Sequence, residues 1–157
     1  MLDYQQRLIN WQLPVTVIHH APVWHLTDLA QQTALAGRAI PKNLLLTDKR
    51  TGECWLYIQL GPARLDFKAL ATQLGISRSR LAFATDEVVQ QVLQTVPGMV
   101  TPLTLMPNSP VTIILQHDLL KAPELGFHLA DNTQTALLQS TDLLRFFKHL
   151  GLTYQIF

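Results

Sequence analysis

Two apolar runs, Leu44-Leu45-Leu46-Thr47 and Cys54 to Leu60, flank the polar stretch Asp48-Lys49-Arg50-Thr51-Gly52. Strand-like runs on both sides of a short turn-forming segment specify an antiparallel hairpin. That hairpin is the strongest local constraint on the fold, because it argues against a regular parallel sheet in which every strand is followed by a helix.

Helical signals surround the hairpin. Residues 2–12 place Tyr4, Leu8, Ile9 and Trp11 at roughly helical spacing, and Pro14 ends that segment. Val15 to Ile18 reads as a strand. Thr27 is positioned to cap a helix with Asp28 in its first turn and Gly37 as its stop. Asp66 caps a helix burying Phe67, Leu70, Ala71 and Leu74, with Gly75 beyond it. Thr85, followed by Asp86 and Glu87, opens another that Pro97-Gly98 would terminate. Val111–Leu115 and Thr133–Leu138 read as strands, Ser140 or Thr141 starts a last helix ending at Gly151, and Leu152–Ile156 is a closing strand. The interleaving is irregular, so the expected class is α+β, a mixed sheet with flanking helices. Residues 1–157 are expected to form one domain, long enough to bury a core without disulfides or metals.

Composition narrows the function. The chain is 48% hydrophobic and 15% charged, as globular proteins are. A single cysteine, Cys54, allows no internal disulfide. The first residues lack a signal-peptide pattern and no apolar run approaches the length of a membrane helix, so a cytoplasmic protein without membrane partners is expected. Eight basic residues against three acidic ones lie between Arg38 and Arg80, while the rest of the chain is acidic. Such segregation suits a local, transient contact with phosphate, or else reflects solvated side chains placed by chance.

Three segments carry candidate chemistry. Lys42 and Asn43 stand at the mouth of the apolar strand beginning at Leu44. Lys42 is either a surface lysine at a strand entry or a cation for a phosphate or developing oxyanion, and spacing alone favours the first. Gly98-Met99-Val100-Thr101-Pro102 is either a turn or a loop whose glycine adopts an unusual backbone angle and whose N–H groups face an anion. Gly126-Phe127-His128-Leu129-Ala130-Asp131-Asn132-Thr133 sets a histidine and an amide between two strand-like segments, with Asp131-Asn132 a turn. His19, His20 and His25 raise a metallohydrolase reading, but adjacent strand histidines point to opposite faces and no carboxylate accompanies them at ligand spacing.

In this order the three segments resemble the YbaK/prolyl-tRNA-synthetase-associated editing family, in its free-standing branch, over about Val15 to Gly151. The resemblance implies a YbaK-like, mostly antiparallel mixed sheet and an aminoacyl-tRNA deacylase that removes a small amino acid, alanine foremost, from tRNA(Pro) in trans. It implies Lys42, Gly98 and His128 as catalytic residues. Asn43, Leu44, Met99, Val100, Thr101, Pro102, Phe127 and Asn132 would bind substrate; by their proximity to the three motifs, Leu44, Val100 and Phe127 would wall the amino-acid pocket. No cofactor or metal is implied. Expected partners are the aminoacyl-tRNA acceptor end and a transient prolyl-tRNA synthetase contact, for a monomer or homodimer. A non-catalytic tRNA- or synthetase-binding module of the same fold is the alternative. The family usually has proline after the histidine, where this chain has Leu129.

Overall fold

The computed structural model describes residues 2–25, 28 and 35–157. The helix expected from Thr27 to Gly37 falls largely outside them. The elements are α1 (Tyr4–Asn10), β1 (Thr16–His19), β2 (Lys42–Asp48), β3 (Cys54–Gln59), α2 (Phe67–Leu74), β4 (Leu81–Phe83), α3 (Asp86–Leu93), β5 (Thr112–Leu115), β6 (Glu124–His128), β7 (Gln134–Gln139), α4 (Ser140–Leu150) and β8 (Tyr154–Ile156). They build two sheets: a five-stranded one in the order β4-β2-β3-β5-β8 and a three-stranded one in the order β1-β7-β6. The pairs β3–β5 and β5–β8 are parallel and the other four are antiparallel, as the α+β, mostly antiparallel expectation requires.

The hairpin forms where its sequence places it, with Thr47 opposite Cys54 and Lys42 opposite Gln59. Asp48 accepts from the Arg50 N–H at 2.9 Å, and Gly52, at φ 78°, donates to the Asp48 carbonyl at 2.8 Å. A left-handed residue here returns the chain into β3, which glycine does without a Cβ penalty. The Asp48 carboxylate also receives Arg80 through both Nε and Nη2, tying the turn to the start of β4.

Every side chain of β3 is buried. Cys54, Leu56 and Ile58 enter the main core with α4 and the three-stranded sheet, while Trp55 and Tyr57 enter a second cluster covered by α2. That is why this run is continuously apolar rather than alternating: both faces of the strand are covered. Helix α2 is capped as expected, Asp66 accepting from the Ala69 N–H at 3.0 Å and Gly75 closing it left-handed.

Three expectations are corrected. Helix α3 ends at Leu93 with Gln94 in the left-handed conformation, before Pro97-Gly98, which begins a separate 3₁₀ turn. Gly98 is absent from the positive-φ residues, so it supplies no unusual angle. Gly126-Phe127-His128, expected only to lie between two strands, is itself the end of strand β6, antiparallel to β7. A glycine and a histidine beside phenylalanine weaken the alternation signal, and pairing on the β7 side overrides local propensity there.

Candidate active site

Strand alternation decides what faces the cleft. On β6, Leu125 and Phe127 point into the core, leaving Gly126 and His128 on the opposite face. Their partners on β7 are Leu137 and Thr135. Cross-strand neighbours share a face, so Gly126, His128, Thr135 and Leu137 form one surface.

A cleft of about 350 Å³ opens over that surface. Its walls are the mouth of β2 (Lys42, Asn43, Leu44), the preceding Ile40-Pro41, the loop residues Pro97, Gly98 and Val100, Asn132 beyond β6, and the segment from His20 to His25. The structure therefore brings together eight of the expected residues: Lys42, Asn43, Leu44, Gly98, Val100, Phe127, His128 and Asn132. They come from segments up to 90 positions apart in sequence.

Met99, Thr101 and Pro102 are not in the lining. The Met99 N–H donates to the Val96 carbonyl at 2.9 Å, which removes it from any row of N–H groups facing an anion. Thr101 is buried; its hydroxyl donates to the His128 carbonyl at 2.9 Å and accepts from the Leu103 N–H at 3.3 Å. It fastens the loop to the end of β6. Pro102 starts the next 3₁₀ turn. Phe127 belongs to the lining, yet its ring is buried in the main core.

Two buried polar atoms at the cleft, Asn43 Oδ1 and His128 Nδ1, have no hydrogen-bond partner among the described residues. Leaving such an atom unpaired costs about 1–3 kcal/mol. Two of them in one cleft mark a place where recognition takes precedence over stability. Burial pushes the His128 imidazole below its ordinary value, against the opposing influence of the Val100 backbone and the Asp131 charge. Burial thus disfavours the charged form of the ring.

Turn chemistry compensates for Leu129. Asp131 accepts from the Thr133 N–H at 2.7 Å and from its hydroxyl at 2.6 Å, which holds its carboxyl below the usual range. Ala130, at φ 63°, completes the turn, and the Thr101 bond anchors the residue before Leu129. The Val23 N–H donates to the Asn132 carbonyl and that of His20 to the Thr133 carbonyl, so this turn also positions the cleft's rim.

Sequence reasoning missed several lining residues. In the sequence, His20 suggests only a metal ligand. Its Nδ1 meets the Ala21 carbonyl and its Nε2 meets the Thr135 hydroxyl, both at 2.8 Å. A carbonyl only accepts, so Nδ1 carries the proton and, in the neutral ring, Nε2 accepts from Thr135. Among the described residues no group of three or more His, Cys, Asp or Glu is placed to hold a metal. Trp24 is 72% exposed at the rim. The backbone N–H groups of Trp24 and His25 both donate to Asp28 Oδ2 at 3.0 Å. Gly126 opens the third motif, and the two-residue strand period through His128 gives its face.

The basic segment is partly committed to internal pairs. Arg80 binds Asp48, Arg38 binds Glu124 at 2.9 Å, and Arg78 lies over the Phe67 ring. Lys42 lines the cleft, while Lys49, Arg50, Arg64 and Lys68 are exposed. Cys54 lies outside the cleft lining, buried, with its thiol pushed up by desolvation; that is the opposite of an activated nucleophile.

The chain is similar to a "Prolyl-tRNA synthetase associated domain-containing protein 1" from Bos taurus, 29% identical over 94% of this chain and 88% of the relative. It is similar also to "Prolyl-tRNA editing protein ProX" from Acetoanaerobium sticklandii, 24% identical over 95% of this chain and 91% of the relative. The fold matches the crystal structure of a candidate trans-editing enzyme for prolyl tRNA synthetase with a TM-score of 0.70, at 21% identity over 99% and 97% of the two chains. The sequence profile of the aminoacyl-tRNA editing domain matches residues 20–146, which include every wall of the cleft. By that match this chain belongs to the aminoacyl-tRNA editing domain family.

Proposed function

We propose that this protein is an aminoacyl-tRNA deacylase, acting in the cytoplasm, that hydrolyses a small amino acid, alanine foremost, from tRNA(Pro) in trans. The observation that carries this reading is the composition of the cleft. A lysine stands at its mouth, two unpaired polar atoms lie in its walls, and no thiol lines it.

An ester to a ribose is already activated. The protein therefore needs to position it, admit one water and stabilise the oxyanion, rather than supply a nucleophile. Water adds to the ester carbonyl, and the bond from carbonyl carbon to ribose oxygen breaks. The proton lost by water ends on that oxygen, leaving free amino acid and uncharged tRNA. Lys42 holds the terminal phosphate or ribose oxygens and the developing charge. Gly98 and Val100 flank the carbonyl. His128 and Asn43, which line the cleft, shape the pocket around the ester and position the attacking water. Trp24 offers an exposed ring for the terminal base to stack on.

The test is a deacylation panel over tRNA(Pro) charged with alanine, serine, cysteine and proline. Hydrolysis of the alanyl ester well above the spontaneous rate, with the prolyl ester spared, supports the proposal. Binding of the charged tRNAs without turnover of any would instead make the protein a tRNA-binding module.

A further inference from the structure

Gly126 sits where a side chain would collide with its surroundings. A Cβ there would lie 2.4 Å from Ile40 Cδ1, 3.0 Å from Thr135 Cγ2 and 3.2 Å from Leu137 Cδ2. The absent side chain lets Ile40 rest directly on strand β6, and Ile40, Gly126 and Thr135 all line the cleft. We propose that Ile40, seated over Gly126, forms a rigid floor that sets the largest amino-acid side chain the cleft accepts. This specificity element rests on the deacylase reading above and lies apart from Leu44, Val100 and Phe127.

Size discrimination needs a wall that does not yield. One methylene is worth only about 10- to 200-fold even against a firm surface, and a floor that relaxed would forfeit that. Here each contributor is held from a second direction. The Gly126 N–H donates to the Ala39 carbonyl at 2.9 Å, so the backbone leading into Ile40 lies along the edge of β6 not paired with β7. Arg38, two residues before Ile40, binds Glu124 on the same strand at 2.9 Å. Pro41, next in the chain, is buried and has a fixed φ. Thr135 is oriented by its hydroxyl bond to His20 at 2.8 Å, which turns its methyl toward Gly126. A flexible isoleucine tip thereby becomes a fixed surface.

The experiment measures affinities for a non-hydrolysable series, 3′-aminoacylamino-adenosines carrying glycyl, alanyl, 2-aminobutyryl and valyl groups. The proteins compared are the wild type, Ile40→Ala, Gly126→Ala and the double variant, each first shown to fold by circular dichroism and thermal melting. Wild type should favour alanyl over 2-aminobutyryl. Ile40→Ala should lose on the order of tenfold of that preference. Gly126→Ala, which drives the Ile40 tip toward the cleft, should weaken alanyl binding more than glycyl binding. The double variant should recover alanyl binding, because removing the tip makes room for the added methyl. If Gly126→Ala does not fold, the Ile40→Ala and Ile40→Val ladders decide alone. A folded Ile40→Ala with the wild-type spacing of affinities overturns the floor while leaving the deacylase reading intact. A wild type that binds none of the four overturns both.

Discussion

The five-stranded sheet and the three-stranded sheet meet the same core but are finished differently. In the first, β3 buries all its side chains, and its buried polar groups find partners: the Tyr57 hydroxyl donates to Gln59 Oε1 at 2.9 Å, and burial pushes its pKa up to about 12. In the second, the inner face is closed by Leu125, Phe127, Ala136 and Leu138, but the outer face carries a glycine and a histidine with an unpaired ring nitrogen. The middle of the five-stranded sheet is built for stability, whereas the outer face of the three-stranded sheet and the mouth of β2, where Asn43 Oδ1 is also unpaired, give some up at the surface that would meet a ligand. If so, substitutions in the two should separate stability from activity.

The largest contrast is expected between Leu56 and Lys42. Leu56→Ala in β3 removes a fully buried side chain and should cost about 2–5 kcal/mol of stability in denaturant unfolding, lowering activity only as the protein unfolds. Lys42→Ala should leave the unfolding midpoint nearly unchanged and lower alanyl-tRNA deacylation on the order of 100-fold or more. A Lys42→Ala protein that kept its rate would break the contrast at its functional end.

A smaller effect is expected at the rim. Trp24→Ala should raise KM with kcat little changed, by the roughly 1–3 kcal/mol that stacking on one base contributes. Equal losses in kcat and kcat/KM would remove Trp24 from ground-state binding.

Thr101 tests the connection between loop and sheet. Thr101→Val keeps the volume but breaks the bond to the His128 carbonyl, so it should cost about 1 kcal/mol of stability. It should also lower kcat, because the Gly98–Val100 loop loses its attachment to β6. Unchanged kcat would make the bond purely structural.

The smallest expected effect is in pH. His128 has a folded pKa below its ordinary value of about 6.5, so the unfolded chain binds its proton first as pH falls. Its neutral-state contribution to stability is complete above that value and is lost progressively below it. Thermal melting from pH 8 to pH 5 should therefore fall more steeply for the wild type than for His128→Asn. Parallel curves would show that this ring does not resist protonation in the fold.

Much of the molecule was legible locally. The Asp66 and Thr85 caps, the hairpin and the last helix depend on contacts within a few residues, which sequence patterns report directly. The floor under the cleft was not legible, because the closest neighbour of a side chain at Gly126 would be Ile40, 86 positions earlier and beside it solely through tertiary packing. Thr101 is a similar case: within its loop it reads as a substrate contact, and only the approach of β6 turns its hydroxyl to the His128 carbonyl.

From sequence alone came the fold class, the elements whose capping and periodicity are local, and the three motifs whose order marks the family. Tertiary structure decided which of those motif residues share a surface, that Met99, Thr101 and Pro102 are not among the cleft's lining, and that His20, Trp24 and Ile40 belong to it. The physical reason is range. Caps and turns satisfy backbone groups within one or two turns of chain, whereas a site is defined by strand register and by the close approach of segments far apart in sequence.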